Sequence, residues 1–111
     1  MGDLKKLGLA LVMGAALCTF TSAAFAGDIA AGKASAGMCV TCHGALGISQ
    51  LPNAPHLAGQ PEIYTIEQLK RYRDGKRSNE VMAVIAKTLS DKDIKDLAAW
   101  YASIQVTVKE K

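Results

Sequence analysis

The reactive chemistry of this 111-residue chain is concentrated in Cys39-Val40-Thr41-Cys42-His43. Two thiols three positions apart, followed directly by an imidazole, form the C-x-x-C-H pattern of covalent haem attachment. The thiols can add across the two vinyl groups of one porphyrin. The imidazole then reaches the iron from the same side of the ring. Cys39 and Cys42 therefore read as anchors and His43 as the proximal axial ligand. Two other chemistries use the same residue types. A redox dithiol also has C-x-x-C spacing, but it needs a βαβ setting, and no strand-like run flanks this one. A zinc ion could draw on Cys39, Cys42, His43 and His56, but adjacent Cys42 and His43 are poorly placed to share one tetrahedral ion.

An iron held this way has a second axial position. Beyond the leader segment the chain has two methionines, Met38 and Met82. Met38 precedes Cys39 and is held on the proximal side. Met82 lies well downstream, where the sequence places a connection between two helices, and it is the candidate distal ligand. Taken alone, a methionine in an apolar run is core packing. His56 reads as a loop-packing histidine, with iron ligation as the alternative.

The elements that must position these groups begin after a leader. Lys5 and Lys6 precede an uncharged apolar run from Leu7 to Phe20, and Ala24-Phe25-Ala26 has the small-x-small form of a cleavage site. Residues 1–26 are expected to be a cleaved secretory signal peptide, and 27–111 a single domain. The run of about 14 residues is shorter than the roughly 20 that span a bilayer. Cys18 falls in the leader, so Cys39 and Cys42 are the only cysteines of 27–111. In an exported chain a lone pair this close fits haem better than a disulfide framework. The whole chain has 13 basic and 10 acidic residues; the leader holds Lys5, Lys6 and Asp3, leaving 11 and 9. That mild balance gives no basis for nucleic-acid binding.

Asp28 is an N-cap candidate for an alanine-rich helix running into Cys39. Residues 44–59 are punctuated by Gly44, Gly47, Pro52, Pro55 and Gly59 and read as a long loop. Pro61 suits the first position of a helix whose stripe is Ile63, Ile66, Leu69 and Tyr72, with Gly75 ending it. Lys70, Arg71, Arg73, Lys76 and Arg77 gather at its end, either as a solvated face near a helix C-terminus or as a docking face for an acidic partner. Ser90 and Asp93 form a capping box for a last helix carrying Ile94, Leu97, Ala98, Tyr101 and Ile104. The fold class expected is all-α.

In this order, C-x-x-C-H-G, Pro55-His56-Leu57-Ala58-Gly59-Gln60, Gly75-Lys76-Arg77, Met82, Leu89-Ser90-Asp91 and Leu97-Ala98-Ala99-Trp100-Tyr101 resemble class I cytochrome c. The chain is most similar to a single domain of the c4 and c553 type. The resemblance implies about four helices wrapped round one covalently bound haem c, and Met82 as distal ligand. It implies that the Pro55 carbonyl accepts the other ring N–H of His43. It further implies that the first helix crosses the last with Gly32 near Trp100. The family's aromatic residue a few positions before the first cysteine is replaced here by Ser35 and Ala36. The expected role is a periplasmic electron carrier, not an enzyme, working between a redox-protein donor and acceptor of acidic or mixed surface. A fixed haem subunit of a larger dehydrogenase is the first alternative, and a gas-binding or peroxidase-like module the second. The mature chain is expected to be a monomer or such a subunit, without stable membrane insertion.

Overall fold

The computed structural model describes residues 26–111. Five helices follow in order: α1 (Ile29–Ser35), α2 (Gly37–His43), α3 (Glu62–Arg73), α4 (Glu80–Lys87) and α5 (Asp91–Ser103). No strand occurs among the described residues, in agreement with an all-α fold. The expected leader, residues 1–26, lies outside the described residues except for Ala26.

The start of α1 follows from Asp28, whose carboxylate accepts the Ala31 N–H at 3.0 Å. The helix expected to run unbroken into Cys39 instead breaks at Ala36, which is buried against the core. α2 then carries the C-x-x-C-H segment by itself. The α1–α5 crossing centres on Gly32. A Cβ there would run into the Asp96 carbonyl and lie 2.9 Å from Trp100 Cβ. Only a glycine lets the two backbones approach this closely. The Asp28 N–H donates to Asp96 Oδ1 at 2.8 Å and ties the same crossing.

α5 is the core helix. Ile94, Leu97 and Tyr101 are its largest fully buried side chains, joined by Ala36 and Leu89. Their spacing of three and four residues puts them on one stripe. Its capping box is complete, with Ser90 Oγ accepting from Asp93 N at 3.1 Å and Asp93 Oδ2 accepting from Ser90 N at 2.9 Å.

α3 packs on both α4 and α5. Pro61 sits at its N-cap, one position before the expected first turn, and Gly75 follows its end with φ 74°. The expected stripe is only partly buried: Ile66 and Leu69 reach the core, whereas Ile63 is 78% exposed. At about 100° per residue, a strict three-residue repeat rotates about 60° per step, so its ends leave the face that its middle holds. Thr65 is buried in this helix instead.

Met82 is not in a loop. It occupies the first turn of α4, where Asn79 caps the helix by accepting the Met82 N–H at 2.9 Å. An Asn two positions ahead of the apolar run that starts at Val81 is a cap signal, and it gives this placement a local cause.

The basic cluster is largely engaged within the fold. Arg73 donates to Asp91 at 2.7 Å and to the Leu89 carbonyl at 3.2 Å. Lys70 also faces Asp91 at 3.7 Å, and Arg71 pairs with Glu67 at 3.5 Å. Arg77 donates to Gln68 at 2.7 Å and lies over the Tyr72 ring.

Candidate functional site

A cavity of about 620 Å³ opens between α2, the loop after it, α3, α4 and α5. It is within the size range of sites that hold a cofactor. Cys39, Cys42, His43, Pro55, Met82 and Tyr101 all line it, as do His56 and Arg77. The sequence spread these residues over more than 60 positions; the fold gathers them round one space.

α2 delivers the first three. One turn of helix separates Cys39 from Cys42, and His43 is its last residue. Both thiols are free and half-buried. Burial raises the Cys39 thiol above its ordinary value, only partly opposed by the Tyr101 hydroxyl. A redox dithiol needs the opposite shift, because its thiolate is the working nucleophile.

His43 is 7% exposed, and its Nδ1 lies 2.8 Å from the Pro55 carbonyl oxygen. A carbonyl can only accept, so Nδ1 carries the proton and donates. That leaves Nε2 as the nitrogen able to bind a metal.

The loop from Gly44 to Gln60 presents Pro55 through several backbone bonds. Leu57 N and Ala58 N both donate to the Gly47 carbonyl, at 2.7 and 3.1 Å, and Gly59 N donates to the Tyr101 carbonyl at 2.9 Å. Gly47 has φ 70°, and a Cβ on it would meet Ala58 N at 2.8 Å and the Tyr101 ring at 2.9 Å.

Met82 approaches from α4 and is half-buried. Met38 also borders the cavity, but its sulfur receives the Thr88 hydroxyl at 3.9 Å, and the residue is 46% exposed.

These residues fit a haem. The space is large and bordered by Leu57, Leu69, Ile85 and Leu97, which suits a flat apolar macrocycle. The donor set is two thiols and one oriented imidazole. The Tyr101 hydroxyl is buried against the Cys39 thiol, a weak partner that does not reach good hydrogen-bond geometry, and burial raises its pKa strongly. An orphaned buried hydroxyl at a cavity wall is costly unless the occupant of the cavity meets it. By sequence, Tyr101 is a core position of the last helix and Arg77 a cation of the solvated or docking face, and both belong to the stretches that resemble class I cytochrome c. Nothing local marks either as a site residue, because their place at the cavity depends on helix packing.

A family model described as cytochrome c matches residues 29–105, nearly all of the described fold. Cytochrome c4 of Pseudomonas aeruginosa is 43% identical over 105 residues, covering 95% of this chain and 51% of that protein. Cytochrome c-554(548) of Halomonas halodenitrificans is 46% identical over 81 residues, 70% of this chain and 98% of its own length. A thiosulfate dehydrogenase electron acceptor of Thiomonas intermedia is 42% identical over 82 residues, 72% of this chain and 37% of that protein. Among solved structures, reduced cytochrome c4 from Pseudomonas stutzeri superposes with a TM-score of 0.70 at 37% identity, over 75% of this chain and 48% of that one. The chain thus spans about half the length of the cytochrome c4 proteins named here, and nearly all of c-554(548). On this agreement of motif, fold and kinship, the chain belongs to the cytochrome c family, as a class I c-type cytochrome of the c4 type that carries haem c covalently at Cys39 and Cys42.

Proposed function

We propose that this protein carries single electrons between redox proteins of the periplasm, with His43 and Met82 as the two axial ligands of its haem iron. The observation that carries the reading is the convergence of Cys39, Cys42, His43 and Met82 on one cavity from α2 and α4. Residues 1–26 act as the export signal, cleaved after Ala26, and 27–111 as one domain. No helix among the described residues is long and apolar enough to cross a membrane.

Bound haem supplies an iron that accepts and releases one electron. Cys39 and Cys42 hold the macrocycle edge against the core. His43 presents Nε2, while its Nδ1–H bond to Pro55 keeps the ring from turning. Met82 offers a soft thioether that favours reduced iron and raises the potential. Held between His43 and Met82, the iron would be closed to small ligands such as oxygen and peroxide, which suits electron transfer rather than catalysis.

A second reading is favoured by the similarity to a thiosulfate dehydrogenase electron acceptor. The same domain would then serve as the fixed electron-transfer partner of a periplasmic dehydrogenase. Co-purification at low salt separates a fixed partner from a diffusing one.

The ligand assignment is tested by absorption spectra of the matured protein in both oxidation states. The weak red methionine–Fe(III) band is expected in wild type and absent in Met82→Ala. Carbon monoxide uptake by the reduced wild type at neutral pH, with no such band, would overturn the closed site and the carrier reading together.

A further inference from the structure

His56 is exposed, yet its ring is committed to one contact. The backbone N–H of Ser49 donates to His56 Nδ1 at 2.8 Å. Nδ1 is thus the acceptor nitrogen, and the neutral ring carries its proton on Nε2. Ser49 is 8% exposed and is fixed in turn. Its hydroxyl donates to the Cys42 carbonyl at 2.8 Å and accepts the Leu51 N–H at 3.0 Å.

These bonds close a ring. Cys42 is joined to Ser49, Ser49 to His56, and His56 is the covalent neighbour of Pro55. The Pro55 carbonyl bonds His43 Nδ1 at 2.8 Å, and His43 is the covalent neighbour of Cys42. Two peptide links and three hydrogen bonds therefore fix where the Pro55 oxygen stands relative to the His43 ring. Without the His56–Ser49 link, the carbonyl is held only by the loop's own backbone bonds.

We propose that His56 is a positioning residue, a clasp through Ser49 that holds the Pro55 carbonyl on His43 Nδ1 and so sets the donor strength of the imidazole toward iron. The clasp rests on His43 being the axial ligand proposed above. A firm Nδ1–H bond to a carbonyl makes the imidazole a stronger donor and favours oxidised iron, so loosening it raises the midpoint potential.

The test uses the holo-protein with His56→Ala, which removes the acceptor, and His56→Asn, whose side-chain oxygen restores one at similar reach. Two readouts are followed: the midpoint potential, and solvent exchange of the His43 ring N–H by proton NMR. In His56→Ala the exchange is expected to quicken about tenfold, the scale of one lost hydrogen bond, and the potential to rise. His56→Asn is expected to return both toward wild type. If His56→Ala does not mature with haem, His56→Leu takes its place in the same comparison. The clasp is overturned if the acceptor-free variant keeps wild-type potential and exchange, or if His56→Asn departs as far as it does. A wild-type spectrum lacking any iron-shifted imidazole resonance overturns instead the ligand assignment beneath it.

Discussion

Replacing Gly32 by alanine tests the helix crossing on which the fold depends. Helix propensity alone says the change should help, by about 1 kcal/mol for Gly to Ala in a helix interior. The structure says otherwise. The new Cβ would strike the Asp96 carbonyl, a backbone group that cannot rotate away, and would crowd Trp100 Cβ at 2.9 Å. Relief requires α1 to lift from α5, which stretches the Asp28–Asp96 bond and opens the core beside Ala36. Overpacking of this kind costs up to about 3 kcal/mol, so Gly32→Ala is expected to lose about 2 kcal/mol net. Gly37 is the internal control. It starts α2, and a Cβ there meets nothing within 4 Å. Gly37→Ala should gain about 0.5 kcal/mol by restricting the unfolded chain. In a domain of this size the two variants should separate by at least about 10 °C in Tm. Thermal unfolding of the oxidised holo-proteins, followed by far-UV circular dichroism, reads this directly. A Gly32→Ala protein that melts at or above wild type would refute the close crossing.

Three further outcomes are expected. Ser90→Ala removes the hydroxyl that caps α5 and should cost about 1 kcal/mol in denaturant unfolding. Gly47→Ala adds left-handed backbone strain to collisions with Ala58 N and the Tyr101 ring, and should cost about 3 kcal/mol while weakening haem retention, measured by the haemochrome yield. The Lys92 ammonium, and then the Asp28 N–H, hold the Asp96 carboxyl below the ordinary carboxylate range. A depressed carboxyl contributes stability above its unfolded value, near pH 4, and loses it as pH falls through the lower folded value. Asp96→Asn should therefore be less stable at pH 7, and its stability should fall less steeply between about pH 5 and pH 2. Parallel acid-unfolding curves for the two proteins would contradict this.

The residues differ in how far sequence reasoning could reach them, and the difference is one of range. Cys39, Cys42 and His43 could be read directly, because attachment chemistry needs them within one turn of helix and no distant residue changes that spacing. The caps at Asp28 and Ser90 were legible for the same reason, since each side chain satisfies an N–H three residues away. The periodicity of α5 was a sound guide because nearly its whole apolar stripe is buried. Ile63 misled because a three-residue repeat drifts round the helix, and only the packing of α3 decides which part of the drift meets the core. The break at Ala36 was hidden because alanine favours helix, yet here the turn is set by what α1 and α2 each pack against. Hydrophobicity alone leaves the run around Met82 as a connection, whereas the Asn79 cap, a local polar signal, starts α4 and puts Met82 in its first turn.

The cofactor, the helical class and the starts of α1 and α5 were therefore legible in the sequence, because all of them rest on bonds or contacts spanning a few residues. Tertiary structure alone decided that Met82 shares a cavity with His43, that Tyr101 lines it with an unmet hydroxyl, and that Ser49, His56 and Pro55 close a ring round the proximal histidine. Those relations depend on how loops close and helices cross. Many segments compete for the same apolar surface, and the winning arrangement is a property of the whole chain.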